Sequence, residues 1–307
     1  MKHFKLGASI YVPAIRDDIN SIANEKKINA RSFIFCTEDS INESDVTLAI
    51  SNLDKMLNTT SRSENVLKFI RVRNEKVLKT ILEMDKIQNI DGFVFPKITA
   101  HNFEDYMQVF KEVGHEKHDF SIMPTLETKE VFETKEMESL RNVFLKEEYK
   151  DHILSLRIGG NDLMNILGVR RSRYRTIYES PLNVTITNLI TTFKPYGFNL
   201  TSPVCEFLHD TELLKREVPL DLEFGLFGKT AIHPDQISII ENAYMATEQD
   251  VEMAEAILAD DAPGVFGMHG AMCEKATHSN WAQEILERAK IYGIFGAKRV
   301  NKIRSVK

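Results

Sequence analysis

The sequence predicts an α/β fold, a (β/α)8 TIM barrel, and two observations carry that expectation. Short apolar or β-branched runs alternate with longer segments of helical period, the pattern of βα units rather than of a sandwich. Eight such runs occur, the number a closed barrel needs, in a chain of 307 residues that suits one barrel-sized domain.

The runs follow one another with polar or charged residues where each stops, and in a barrel those strand ends carry the chemistry. GASIYV (7–12) comes first, and SFIFC (32–36) follows and ends in Glu38 and Asp39. The segment SDVTLAISNLDKML then reads as an amphipathic helix. The strand that begins with LKFIRV (67–72) carries Arg71 and Arg73, and GFVF (92–95) ends in Pro96 and Lys97. NFEDYMQVFKEV is the next amphipathic segment, before SIMPTL (121–126), which ends in Glu127. ILSLRI (153–158) leads through two glycines to Asp162, and NLTSPV (199–204) precedes LFGKTAI (226–232), which ends in His233 and Pro234. There is no short internal repeat, no low-complexity tract and no Pro/Gly-rich linker before about residue 260. Residues 1–260 are therefore expected to form one barrel domain. Residues 261–307, DAPGVFGMHGAMCEKATHS and the amphipathic NWAQEILERAKIYGIF, are expected to form a C-terminal lid or oligomerisation arm.

Composition narrows the function classes. Hydrophobic residues make up 43% and charged ones 27%, and no apolar stretch is long enough to span a bilayer. With no signal-peptide layout in MKHFKLGASIYVPA, a cytoplasmic protein without a membrane partner is expected. The three scattered cysteines, Cys36, Cys205 and Cys273, give neither a zinc spacing nor a disulfide framework. A net charge of -6 argues against nucleic-acid binding, so any anion site must be local.

Two carboxylates on successive strand ends, Glu127 and Asp162, beside an arginine and a lysine, suit a hard cation. Mg2+ typically takes one or two protein carboxylates together with waters and substrate oxygens. Arg71 and Arg73 stand two apart on a strand, so if one faces the barrel interior both should. Structural roles stay open for each residue: Asp162 also suits a helix N-cap before LMNILG, Glu127 a first helical turn, and Arg71 an ion pair with Glu38. GVRRSRYR (168–175) reads either as a solvated basic turn or as an anion clamp at the active-site face. Positional packing is the reading for His233.

These motifs resemble the HpcH/HpaI aldolase and citrate lyase β-subunit family of phosphoenolpyruvate/pyruvate-type barrels, related to malyl-CoA lyases. The most specific stretch is GKTAIHPDQISIIENAYMATEQDVEMAEAIL, and SIYVPA, FCTEDS, FIRVRN, FVFPK, TLET and RIGGNDLMNILG match weaker family signatures in the same order. The resemblance implies a Mg2+-dependent carbon–carbon lyase acting on a hydroxy or oxo acid, free or as a CoA thioester. It implies that Glu127 and Asp162 ligate Mg2+, with Glu127 thereby also touching substrate, and that Arg71 binds the substrate carboxylate or enolate oxygen. Glu38 and Asp39 orient waters or the arginine, while Arg73 and Lys97 add positive charge for the substrate. Lys97 is not needed as a Schiff-base nucleophile beside such a metal site. The arm segment HGAMCE places Glu274 where CoA-lyase relatives carry an aspartate that reaches a neighbouring subunit, which implies a homo-oligomer, trimer or hexamer, with Glu274 as acid or base in trans. Its alternative is an ordinary surface glutamate.

Departures from the family pattern keep other outcomes open. Gly7 and Ala8 replace a basic residue and serine, Cys36 replaces an aspartate, and Asn161 stands where a glutamate is usual. A catalytically weak binding or assembly subunit, or a CoA-thioester hydrolase, would use the same scaffold.

Overall fold

The computed structural model describes residues 2–24, 27–114 and 119–296. Eight parallel strands form one sheet: β1 (Ala8–Pro13), β2 (Ser32–Cys36), β3 (Leu67–Arg71), β4 (Gly92–Phe95), β5 (Ser121–Leu126), β6 (Leu156–Ile158), β7 (Leu200–Thr201) and β8 (Lys229–Ala231). Each strand neighbours the next in sequence, β8 lies beside β1, and a bridge between Ser202 and Lys229 closes the gap between β7 and β8. The predicted barrel is therefore the observed one, with a strand in each of the eight apolar runs.

Alternation along the strands sorts side chains into two layers. The outward Phe93 and Phe95 of β4 pack on Phe110 and Tyr106 of helix Phe103–Glu112, at ring separations of 5.7 and 4.7 Å. Inward residues Ile34, Leu67, Phe69, Val94 and Met123, with Leu6, form an apolar floor inside the barrel. The interior turns polar toward the strand C-termini, where β1, β3, β5, β6 and β8 contribute Tyr11, Arg71, Thr125, Arg157 and Thr230. Surrounding helices start where sequence chemistry permits. Asn74 accepts from the Val77 N–H at 3.0 Å and Asp210 from the Leu213 N–H at 3.0 Å, satisfying orphan first-turn donors.

Contacts along the backbone divide the chain into a unit of residues 2–240 and one that begins at residue 241. In the second unit, helices Glu248–Leu258 and Lys275–Tyr292 and the hairpin Val265–Met268/Ala271–Glu274 share a small core of Val251, Ala254, Ile257, Cys273, Ala282 and Ile285. The unit containing the expected arm starts at 241 because the apolar face of Glu248–Leu258 is completed by these later residues. Among the described residues no helix is long and apolar enough to cross a membrane.

Candidate active site

A cavity of about 380 Å3 opens at the C-terminal end of the barrel, and its walls include Tyr11, Asp39, Arg71, Glu127, Arg157 and Asp162. Arg71, the last residue of β3, is 8% exposed and points into the barrel. Its Nη2 meets three carboxylates: Glu38 at 2.8 Å, Asp39 at 3.1 Å and Glu127 at 3.1 Å. Burial opposes the charge on Arg71, but Tyr11, Glu127, Cys36 and Glu38 outweigh it and raise its pKa. The guanidinium is therefore fixed in position and permanently charged.

Glu127 directly follows β5 and is 4% exposed. Its Oε1 accepts from Arg71 and from the backbone N–H of Lys97, the latter at 2.9 Å. Lys97 adopts a left-handed φ of 53°, uncommon for a residue with a side chain, at the turn that presents this N–H. Burial pushes the Glu127 carboxyl up to about 7, with the charges of Asp162 and Glu38 adding to the effect and Arg71 and the Lys97 N–H opposing it. A carboxylate that is desolvated and repelled by a neighbouring one gains from a shared cation.

Asp162 lies in the first turn of helix Gly160–Ile166, whose N-cap is Gly159. The N-cap alternative for Asp162 is thus corrected: its carboxylate lines the cavity with Glu127. Gly159 is required by Glu127 itself. A Cβ there would lie 2.3 Å from the Glu127 Cβ and 2.5 Å from its Oε2. A Cβ on Gly160 would lie 2.9 Å from that of Pro203. The two glycines of the RIGGND stretch therefore admit protein side chains, Glu127 above all.

Among the described residues no group of three or more His, Cys, Asp or Glu side chains is arranged as a cation site. A pair of carboxylates is nevertheless the donor set Mg2+ commonly takes from a protein. Among the described residues Oε2 of Glu127, which faces the Gly159 cradle, accepts no hydrogen bond from the protein, so the residues present fit a divalent cation that also receives substrate and water oxygens.

The other expected site residues divide. Glu38 is buried beneath Arg71 and is bound by Lys97 Nζ, and Lys97 Nζ also reaches Asp39 at 3.3 Å. Burial works to lower the Lys97 pKa, but Glu38, Asp39 and Glu127 raise it overall, the opposite of what a Schiff-base lysine needs. Arg73 is a correction: β3 ends at Arg71, so the alternation does not carry Arg73 inward. It donates instead to the backbone carbonyls of Thr37, Glu38 and Ile41, clamping the loop after β2, and pairs with Glu43 at 3.0 Å. Glu274 precedes helix Lys275–Tyr292 in the second unit and accepts from Thr277 Oγ1 at 2.9 Å. His233 Nδ1 accepts from the Asp235 N–H at 3.3 Å, at the start of helix Asp235–Ala243.

The anion-clamp reading of GVRRSRYR is also corrected, since none of its arginines lines the cavity. Arg171 is buried against Glu217 and the Val204 carbonyl, Arg170 pairs with Glu206 at 3.2 Å, and Arg173 covers the Phe207 ring at 4.7 Å. Glu217 and Asp221 also hold Lys229 of β8, each at 2.9 Å, with all three side chains fully buried. The lysine of GKTAIHPD thus belongs to a structural charge cluster.

Sequence reasoning missed Arg157, Thr125 and Thr230. The signal for Arg157 was present, a lone charge inside the apolar run ILSLRI.

A model of the C-C bond lyase family of the TIM-barrel fold matches residues 1–294. Among curated proteins, the (3S)-malyl-CoA thioesterase of Cereibacter sphaeroides is 25% identical over 169 residues, 52% of this chain and 58% of that protein. Among solved structures, a citrate lyase from Burkholderia xenovorans superposes with a TM-score of 0.73 at 16% identity, covering 94% of this chain and 93% of that one. CitE of Mycobacterium tuberculosis, in complex with magnesium, acetoacetate and coenzyme A, does so with a TM-score of 0.67 at 18% identity, covering 93% and 98%.

Proposed function

The chain belongs to the C-C bond lyase family of the TIM-barrel fold, and from that premise we propose that it cleaves a hydroxy or oxo acid, free or as a CoA thioester, through an enolate stabilised by Mg2+ at Glu127 and Asp162. The single observation that carries this reading is the Glu127 carboxyl, buried, pushed up to about 7 and facing a second carboxylate in one cavity at the barrel's catalytic end. When bound, the metal supplies positive charge where negative charge develops as the carbon–carbon bond breaks.

The chain's own residues supply the rest. All three acids around Arg71 meet Nη2, leaving Nη1 for a substrate carboxylate or enolate oxygen. Because that guanidinium is already held, little reorganisation is needed as charge builds on the substrate. Glu38 and Lys97 keep Arg71 and Asp39 in place from below, and Asp39, half exposed at the cavity wall, orients water. Arg73 acts through the loop it clamps. In a homo-oligomer, Glu274 of one subunit would serve as acid or base at another, a role carried by the motif resemblance.

The test is calorimetric binding of oxalate, a mimic of the pyruvate enolate, with and without Mg2+, to wild type and Asp162→Ala. Binding that needs both the metal and Asp162 is expected; binding in no combination would refute the enolate site and favour an assembly subunit. A second reading, thioester hydrolysis, draws on the likeness to a thioesterase. CoA release without carbon–carbon cleavage would select it.

A further inference from the structure

Buried cations in this barrel are generally neutralised. Arg71 meets three carboxylates, Arg171 meets Glu217, and Lys229 meets Glu217 and Asp221. Arg157 differs. It is 3% exposed, it lies on β6 inside the barrel, and among the described residues no carboxylate approaches it within ion-pair distance. Its partners are neutral: Nη2 donates to the Thr230 hydroxyl, Nη1 lies 3.9 Å from the Met123 sulfur, and the guanidinium covers the Tyr11 ring at 5.5 Å. A desolvated charge without a counter-charge is costly, and a hydroxyl, a thioether and an aromatic face offset only part of that cost.

The surroundings are arranged for an oxyanion. Thr230 accepts from Arg157, so its own hydrogen remains available to donate. Thr125, the register partner of Arg157 on β5, is 5% exposed, and its hydroxyl is buried without a hydrogen-bond partner among the described residues. All three side chains line the same cavity as Arg71, Glu127 and Asp162. At about 380 Å3 the cavity accommodates a small acid that reaches both groups.

We infer that Arg157, with the hydroxyls of Thr125 and Thr230, is a second anion anchor, so that the acid taken here carries a terminal carboxylate or phosphate in addition to the group read by Arg71. This rests on the cavity being the enolate site. Arg157 is thereby a specificity-determining residue. A bidentate guanidinium edge suits either oxyanion.

The experiment compares matched ligands by calorimetry in Mg2+ at fixed pH: malate against 2-hydroxybutyrate, in which a methyl replaces the terminal carboxylate, and 3-phosphoglycerate against glycerate. Oxalate, which occupies the enolate subsite alone, is the reference. At least one charged acid is expected to bind wild type fivefold or more tighter than its counterpart, and the pair that shows this identifies the terminal group. In Arg157→Gln that preference should fall below fivefold while oxalate affinity changes by less than threefold; Thr230→Val, a milder change, should reduce it partway. Oxalate binding without a fivefold preference in either pair overturns the anchor alone, as does a preference that survives Arg157→Gln. Loss of oxalate in a folded Arg157→Gln also overturns it, because Arg157 would then serve the enolate. Failure of oxalate to bind wild type refutes the enolate-site reading, and the anchor falls with it. Absence of the preference in wild type overturns the anchor even if the variants do not fold.

Discussion

Gly159→Ala is the sharpest single-atom probe of the site. The backbone of Gly159 tolerates alanine, since its φ is -81°, so the perturbation is steric alone. The new methyl would lie 2.3 Å from the Glu127 Cβ and 2.5 Å from its Oε2, whereas carbon atoms settle at about 3.5–4.0 Å. Glu127 or the start of helix Gly160–Ile166 must therefore move by roughly 1 Å or more. Glu127 resists such movement, because its Oε1 is held by Arg71 and by the Lys97 N–H. Overpacking of this kind costs about 1–3 kcal/mol of stability, and a displacement of about 1 Å at a reacting centre costs on the order of 100-fold in function. Urea unfolding should show the first effect and Mg2+-dependent oxalate calorimetry the second. Gly267→Ala, where a Cβ meets nothing within 4 Å, is the control and should change neither. Wild-type stability together with wild-type oxalate affinity in Gly159→Ala would refute the cradle argument.

Protonation gives a second handle. The raised pKa of Glu127 means that the metal-free protein favours the neutral carboxyl below about 7, and protons then compete with the cation. Apparent Mg2+ affinity should fall by up to about tenfold per pH unit below that point and level off above it, as read by calorimetry across pH 5.5–8.5, a range of about three units. An affinity flat with pH would contradict it. Lys229→Met leaves Asp221 buried without a cation and Glu217 with Arg171 alone, and should cost about 3–5 kcal/mol in urea unfolding, partly recovered by adding Asp221→Asn. A loss under about 1 kcal/mol would show the cluster to be incidental. Arg73→Ala removes three hydrogen bonds to the loop that carries Glu38 and Asp39, and should weaken oxalate binding without abolishing it. Unchanged affinity would separate the clamp from the site.

The barrel was legible because each strand is a local apolar run and the order of the runs is the order of the strands. Arg71, Asp39, Glu127 and Asp162 were legible as strand-end residues, since the closed topology brings such ends to one mouth. Arg73 was misread because alternation holds only while the strand lasts, and β3 stops two residues earlier. The arginine loop was misread for a different reason. The acid that claims Arg171 is Glu217, 46 residues later on helix Thr211–Glu223, and no local pattern announces that pairing. The role of the two glycines was not legible locally, because the side chains that crowd their missing Cβ positions, Glu127 after β5 and Pro203 after β7, come from other parts of the sequence.

Arg157 shows what distinguishes scaffold from recognition in such an interior. A buried cation that already meets carboxylates, as Lys229 does, has no charge left to offer, and its removal is felt as lost stability. A buried cation with only neutral partners leaves part of its desolvation uncompensated, and an arriving anion relieves it. The two cases make opposite forecasts for a neutral replacement of similar length. Lys229→Met should destabilise the protein whether or not ligand is present, whereas Arg157→Met should leave unliganded stability unchanged or higher while the gain in melting temperature from a doubly anionic acid disappears. Thermal unfolding with and without malate or 3-phosphoglycerate measures both. A clear loss of unliganded stability in Arg157→Met would place Arg157 with the scaffold.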